Sequence, residues 1–149
     1  MIHNRSTLAI LSTAAIAGIL VGVAPSLLNA SATAARGGTC RVVDGDTLRC
    51  GTERVRLLGI DAPELLGHYQ AGRACAPGDP IASTRSLREA LADPIIIDRI
   101  GSDRYGRTLA LVQGARGDLS CWQLANGAAI YKPKWDKGGR LAQICGAAR

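Results

Sequence analysis

Val42–Glu64 reads VVDGDTLRCGTERVRLLGIDAPE. Asp44-Gly45-Asp46 lies between two short β-type runs, Thr39–Val43 and Thr47–Cys50, and Asp-Gly in that setting is a strong hairpin signal. With Gly45 at the centre of the turn, Cys40 falls opposite Cys50 and Val42 opposite Leu48. Opposed residues share a face, so a Cys40–Cys50 disulfide is geometrically allowed if the pair is not hydrogen-bonded. Gly51-Thr52 turns the chain again. Glu53–Ile60 predicts a third strand, apolar on both faces from Leu57 onward, as a buried strand is. Asp61-Ala62-Pro63 ends it, because proline has no N–H to give a sheet.

The same stretch concentrates chemistry. A hairpin turn and the end of the adjacent strand can lie side by side, so Asp46 and Asp61 can face one point. Two carboxylates with backbone carbonyls and water make a hard-oxygen set suited to calcium or magnesium. Asp44 reads as a turn residue beside them. Arg56, flanked by Val55, Leu57 and Leu58, needs an anionic partner. That partner is either an internal carboxylate, Glu53 or Glu64, or a phosphate oxygen. Arg107 opens a later strand next to an exposed loop, and two such arginines can clamp a phosphoryl group. Glu64, near the metal but not needed as a ligand, can take a proton from water.

Downstream, Leu65–Gly78 has no clear period and predicts a flap beside the site. Asp79-Pro80 predicts a helix start, with Asp as N-cap and Pro at the first helical position. Ile81, Thr84, Leu87 and Leu91 form its expected apolar stripe. Pro94 closes it. Strands are expected over Ile95–Ile100 and Arg107–Val112, with 101–106 a loop between them. A second helix is expected over Asp118–Ile130, and a short one over Arg140–Cys145 after the Gly138-Gly139 hinge. Cys121 and Cys145 would tie the last two helices together and leave Cys75 as a free thiol. The order β-β-β-α-β-β-α-α is that of a five-stranded OB-fold Greek-key barrel, an α+β fold that is mainly β.

Upstream the chain reads differently. One cation, Arg5, precedes an uncharged apolar run, Leu8–Ala24, followed by small-x-small sites at Ala30-Ser31-Ala32 and Ala32-Thr33-Ala34. That order predicts a signal peptide over 1–32, a linker over 33–38 and one domain over 39–149. The product is expected to be secreted or periplasmic, with 8–24 as a membrane anchor only if cleavage fails. No stable membrane association is expected otherwise.

Composition narrows the function classes. The net charge is +6 and only three of the 18 cations are lysines. A positive net charge attracts polyanions, and guanidinium matches phosphate better than ammonium does. The chain has no Phe, two Trp and three Tyr, so a platform of stacked aromatics for single strands is not evident. Five cysteines in an exported chain favour disulfides. Without a C-x-x-C pair, and with His68 the sole histidine past the leader, a zinc site is not expected.

Three motifs in order, VVDGDT (Val42–Thr47), RLLGIDAPE (Arg56–Glu64) and DRYGRTLA (Asp103–Ala110), resemble the staphylococcal nuclease (thermonuclease) family over about Thr39 to Lys134. The resemblance implies an OB barrel with three helices. It implies calcium bound by Asp46, Asp61 and the carbonyl of Ala62, with magnesium less favoured. Glu64 is implied as base, Arg56 and Arg107 as phosphate-binding catalytic residues, and Arg104, Tyr105 and Tyr131 as substrate contacts. The implied reaction is endonucleolytic hydrolysis of DNA and RNA to 3′-phosphates by a monomer. Ala129 stands where the family has a second nucleotide-binding tyrosine, and Ala62 where it has threonine. The alternative is a non-catalytic OB-fold module that binds nucleic acid or protein, which has no need of Glu64.

Overall fold

The computed structural model describes residues 35–36, 39–65 and 76–146 of the 149. The expected leader, most of the expected flap and Cys75 lie outside them. The chain begins with β1 (Ala35–Arg36), β2 (Cys40–Asp44), β3 (Thr47–Cys50) and β4 (Glu53–Leu57). The first hairpin has the expected register, Cys40↔Cys50 and Val42↔Leu48, with an irregularity between Val42 and Asp44 that sets Asp44 opposite Thr47. Its Cys40–Cys50 disulfide is formed.

The third strand is shorter than expected. Gly59 takes φ +72°, so the ladder stops at Leu57 and restarts as β5 (Ile60–Asp61), which pairs with β9 (Ile130–Tyr131) instead. A left-handed residue breaks a strand, and glycine takes that conformation without steric cost. A side chain here would also meet Leu141 at 2.8 Å.

Helix α1 (Pro80–Ala90) begins as expected, with Asp79 accepting hydrogen bonds from the N–H groups of Ile81 and Ala82. Its buried face is Ser83, Thr84, Leu87 and Ala90, which keeps Thr84 and Leu87 of the expected stripe, while Leu91 is half-buried. Ile81 is 63% exposed. β6 (Ile96–Ser102) extends into the expected loop, and β7 (Thr108–Gly114) is followed by the short β8 (Gly117–Asp118). Helix α2 (Leu119–Ala125) is shorter than expected. Gly127 at φ +62° releases the chain into β9. Two 3-10 turns lead to α3 (Arg140–Ile144), which the Cys121–Cys145 disulfide joins to α2.

The main sheet runs β1-β6-β7-β4-β3-β2, with β8 on β7. All its pairs are antiparallel except β4 with β7. The path is open: among the described residues no ladder joins β2 to β6, so the expected closed barrel is not formed by strand pairing. Two residues of the expected linker, Ala35–Arg36, extend the edge of β6. The core is Leu48, Val55, Leu57, Ile97, Val112 and Leu119, all essentially inaccessible. Ala110 and Val112 point inward from β7 as its alternation predicts.

Asp136 ties the end of the chain to this body. It accepts hydrogen bonds from Leu141 N (2.9 Å), Ala142 N (3.0 Å) and the Tyr131 hydroxyl (2.8 Å). Burial pushes its carboxyl up, but these bonds outweigh burial and hold it below the usual carboxylate value. A depressed carboxyl stabilises the fold above the unfolded value, about 3.9, and that stabilisation is lost as pH falls through the lower folded value. Asp136→Ala is expected to lose about 2 kcal/mol at pH 7, read by urea unfolding, with the difference from wild type shrinking below about pH 4.

Candidate active site

Arg56 projects from β4 into a buried charge cluster. Its Nη1 donates to Asp46 Oδ1 at 2.7 Å and its Nη2 to Asp61 Oδ1 at 3.1 Å. All three residues are at most 6% exposed. The internal partners are therefore the two hairpin-turn and strand-end aspartates. Glu53 instead pairs with Arg99 (2.7 Å) and accepts from Thr108. The break at Gly59 makes this possible, because it brings Asp61 back beside the turn that carries Asp46. Asp46 Oδ2 accepts from Ala62 N (3.0 Å), and Oδ1 also accepts from the Thr47 hydroxyl (2.9 Å). Asp44 Oδ1 accepts from Asp46 N (3.2 Å), the turn role expected of it.

The turn itself is clamped from behind. Gln123, fully buried on α2, donates through Nε2 to the Gly45 carbonyl (2.7 Å) and the Ser83 carbonyl (3.1 Å). A side chain at Gly45 would meet Ser83 Oγ at 2.0 Å and Ala62 Cβ at 2.7 Å. Neither Gln123 nor Ser83 was foreseen. Their signal in the sequence is a polar residue on the inward face of a helix, which period alone does not distinguish from a solvent position.

Burial raises the Asp46 carboxyl, the Arg56 guanidinium lowers it, and Asp44 raises it further, to about 7 in all. Among the described residues, the Arg56 guanidinium is the buried cation that holds both aspartates. Lys132 Nζ, 3.8 Å from Asp61 Oδ2, adds a distant and half-exposed contribution. Two clustered carboxylates are hard-oxygen donors of the type that fits a cation such as calcium. A second group of ligand-type atoms, Asp118 with Cys121 and Cys145, is no metal centre: the sulfurs are bonded to each other, and Asp118 caps α2 through Cys121 N.

Beside the cluster is a cavity of about 450 Å³ whose lining includes Arg56, Arg104, Tyr105, Arg107, Lys134 and Trp135. The two arginines expected to act together, Arg56 and Arg107, thus share one space. Arg107 Nε donates to Asp103 Oδ2 (2.7 Å), and its N–H to Asp103 Oδ1 (3.0 Å). Tyr105 stacks near both Arg104 and Arg107, at 4.8 and 5.4 Å from ring centroid to guanidinium carbon. Glu64 is half-buried on the segment that leaves β5. Tyr131 has its hydroxyl engaged by Asp136. Trp135, which sequence reasoning passed over, sets its ring 5.4 Å from the Arg56 guanidinium carbon.

No family model matches the chain. Among curated proteins, an "Uncharacterized endonuclease" of Haemophilus influenzae is 36% identical over 112 residues, 68% of this chain and 57% of that protein. "Succinoglycan biosynthesis protein ExoI" of Rhizobium meliloti is 33% identical over 106 residues, 68% of this chain and 54% of its own length. "Protein ParB" of Escherichia coli is 33% identical over 118 residues, 73% of this chain and 56% of its own. The chain spans about half the length of the curated relatives it matches.

Arg56→Leu removes the counter-charge from two buried aspartates. Breaking a buried pair in this way costs about 3–5 kcal/mol. Urea unfolding at pH 8 is expected to show a loss of that size, shrinking toward pH 5 as Asp46 takes up a proton.

Proposed function

We propose that the chain is a calcium-dependent endonuclease of the staphylococcal nuclease type, hydrolysing DNA and RNA phosphodiesters to leave 3′-phosphates. One observation carries this reading: Arg56, which holds Asp46 and Asp61, also lines a cation-rich cavity together with Arg107. The strand order, with its parallel β4–β7 pair, supports the OB-fold assignment. Similarity to a protein named as an endonuclease supports phosphodiester chemistry. Two disulfides suit an oxidising compartment and support export after loss of residues 1–32.

Asp46, Asp61 and the Ala62 carbonyl would hold the calcium ion, with magnesium a poorer fit to so irregular a donor set. Bound there, the ion supplies positive charge next to the scissile phosphate. Arg56 gives one N–H to each aspartate from its two terminal nitrogens, and a guanidinium has five donors, so others remain for a non-bridging phosphate oxygen. Arg107 donates to the oxygens on which charge builds in the transition state. Glu64 accepts the proton of the attacking water. The P–O bond to water forms in line with the bond that breaks, and the 5′ oxygen leaves, assisted by Arg107. The 3′ oxygen keeps the phosphate.

The direct test incubates the protein, after removal of residues 1–32, with plasmid DNA and with RNA, in calcium and in excess chelator. Cleavage to 3′-phosphate ends in calcium alone is expected. Glu64→Gln should lower the rate by about 10²–10⁴-fold, and Arg107→Ala by about 10²–10³-fold. Binding of nucleic acid without cleavage under any divalent cation would leave the non-catalytic OB-fold module as the correct reading.

A separate readout concerns the cation itself. Calcium at about 100 times its Kd is expected to stabilise the protein by about 2.7 kcal/mol, seen as a rise in melting temperature. Asp61→Asn should abolish that rise. An equal rise in the variant would remove Asp61 from the cation site.

A further inference from the structure

Arginines line up across the sheet. In the antiparallel ladders Arg41 on β2 stands opposite Arg49 on β3, and Arg49 opposite Arg54 on β4. The parallel ladder of β4 with β7 starts at Val55↔Thr108, so Arg107, one residue earlier, continues the row beside Arg54. The row thus crosses three neighbouring strands and the entry to a fourth. Val42, Leu48 and Val55, the sequence neighbours of Arg41, Arg49 and Arg54, are buried, so alternation turns the arginines to the opposite face. Arg41 and Arg54 are exposed and Arg49 is half-buried.

Such a row opposes folding, because like charges directly opposite in a sheet destabilise it. Among the described residues no carboxylate forms an ion pair with Arg41, Arg49 or Arg54. Glu53, next to Arg54 in sequence, is taken by Arg99 and Thr108. Arg49 gives Nη1 to Thr52 O (3.0 Å), and a guanidinium has five donors. The Cys40–Cys50 disulfide, the adjacent cross-strand pair, holds Arg41 and Arg49 opposite one another against their repulsion. Three strand steps of about 4.8 Å make the row about 14 Å long. It ends at Arg107, which lines the cavity. A single phosphate engages one or two of these groups, whereas a polymer of phosphates engages the row and the cavity together.

We propose that Arg41, Arg49 and Arg54 form a track for the phosphodiester backbone of a nucleic-acid strand and lead that strand to Arg107. The proposal rests on the nuclease reading and adds to it a preference for long strands over short ones. A dinucleotide occupies the cavity alone, while a longer strand also lays its flanking phosphates along the row. Each such contact releases counterions, and on a single strand contributes about 0.7 to the slope of log affinity against log salt.

The experiment measures binding of a fluorescent DNA strand of about 20 nucleotides by anisotropy, in calcium and over a range of salt, on a Glu64→Gln background that slows cleavage. The triple variant Arg41→Gln, Arg49→Gln, Arg54→Gln is expected to reduce the slope by about 2. A control triple, Arg85→Gln, Arg88→Gln, Arg116→Gln, removes the same charge from exposed positions elsewhere and should keep the wild-type slope. With Glu64 restored, the row variant should raise KM for the long strand about tenfold and leave kcat/KM for a dinucleotide unchanged. If the triple variant does not fold, Arg41→Gln with Arg54→Gln spares the Arg49 bond to Thr52 and should give about two-thirds of the change in slope. An unchanged slope in the row variants, an equal change in the control, or an equal loss on dinucleotide and long strand overturns the track. Each of those leaves the nuclease reading standing, because cleavage of plasmid in calcium tests it separately. If plasmid is not cleaved, the nuclease reading falls while the slope still decides the track.

Discussion

A buried guanidinium bridging two buried aspartates is the constraint that shapes this molecule. Asp46, Arg56 and Asp61 come from a hairpin turn, a strand and the end of that strand's broken continuation. Removing such charges from water costs several kcal/mol per ion, and mutual attraction offsets that cost only when the geometry is good and the remaining donors are used. The cluster therefore dictates local structure. The chain must turn back after Leu57, Ala62 N must point at Asp46, and no side chain is tolerated at Gly45. A core chosen for stability alone would place apolar residues here.

The body around the cluster is small and poor in aromatics, with no Phe in 149 residues. Small domains bury a smaller fraction of their surface and are marginal as a result. Two disulfides compensate, one across the hairpin that carries the aspartate turn and one between the last two helices. Gln123 and Ser83 add a polar clamp from the helical layer to the back of that turn. The hairpin is thus held from its open end by a covalent bond and from its turn by hydrogen bonds. Such preorganisation is what a site needs when its ligand must meet charges already in position.

On the open side the cavity collects cations at a wall that also carries a tryptophan and two leucines. Asp103 orients Arg107 through both its backbone and its side chain, so that arginine arrives in one conformation. Arg56 plays two parts, holding the carboxylates together and facing the cavity. Stability and function consequently share residues here.

Much of this was legible in the sequence. The Asp-Gly turn, the register that opposes Cys40 to Cys50, the Asp79-Pro80 helix start and the β7 alternation follow from local chemistry. So does the need of Arg56 for an anionic partner, since a guanidinium among apolar neighbours is costly to leave unpaired. Tertiary structure decided the rest. Periodicity placed Ile81 on the inner stripe of α1, but the helix is rotated so that Ser83 and Ala90 join Thr84 and Leu87 on the buried face. Strand propensity ran through Gly59, because a single glycine is compatible with a strand until Leu141 and Asp136 pack against it. Arg56 took Asp46 and Asp61 as partners, not Glu53, because Glu53 is engaged by Arg99 from β6. Gln123 and Trp135 stayed hidden for the same reason. Residue type records what a side chain can do, while its partners are set by elements far away in the chain, and only folding brings those together.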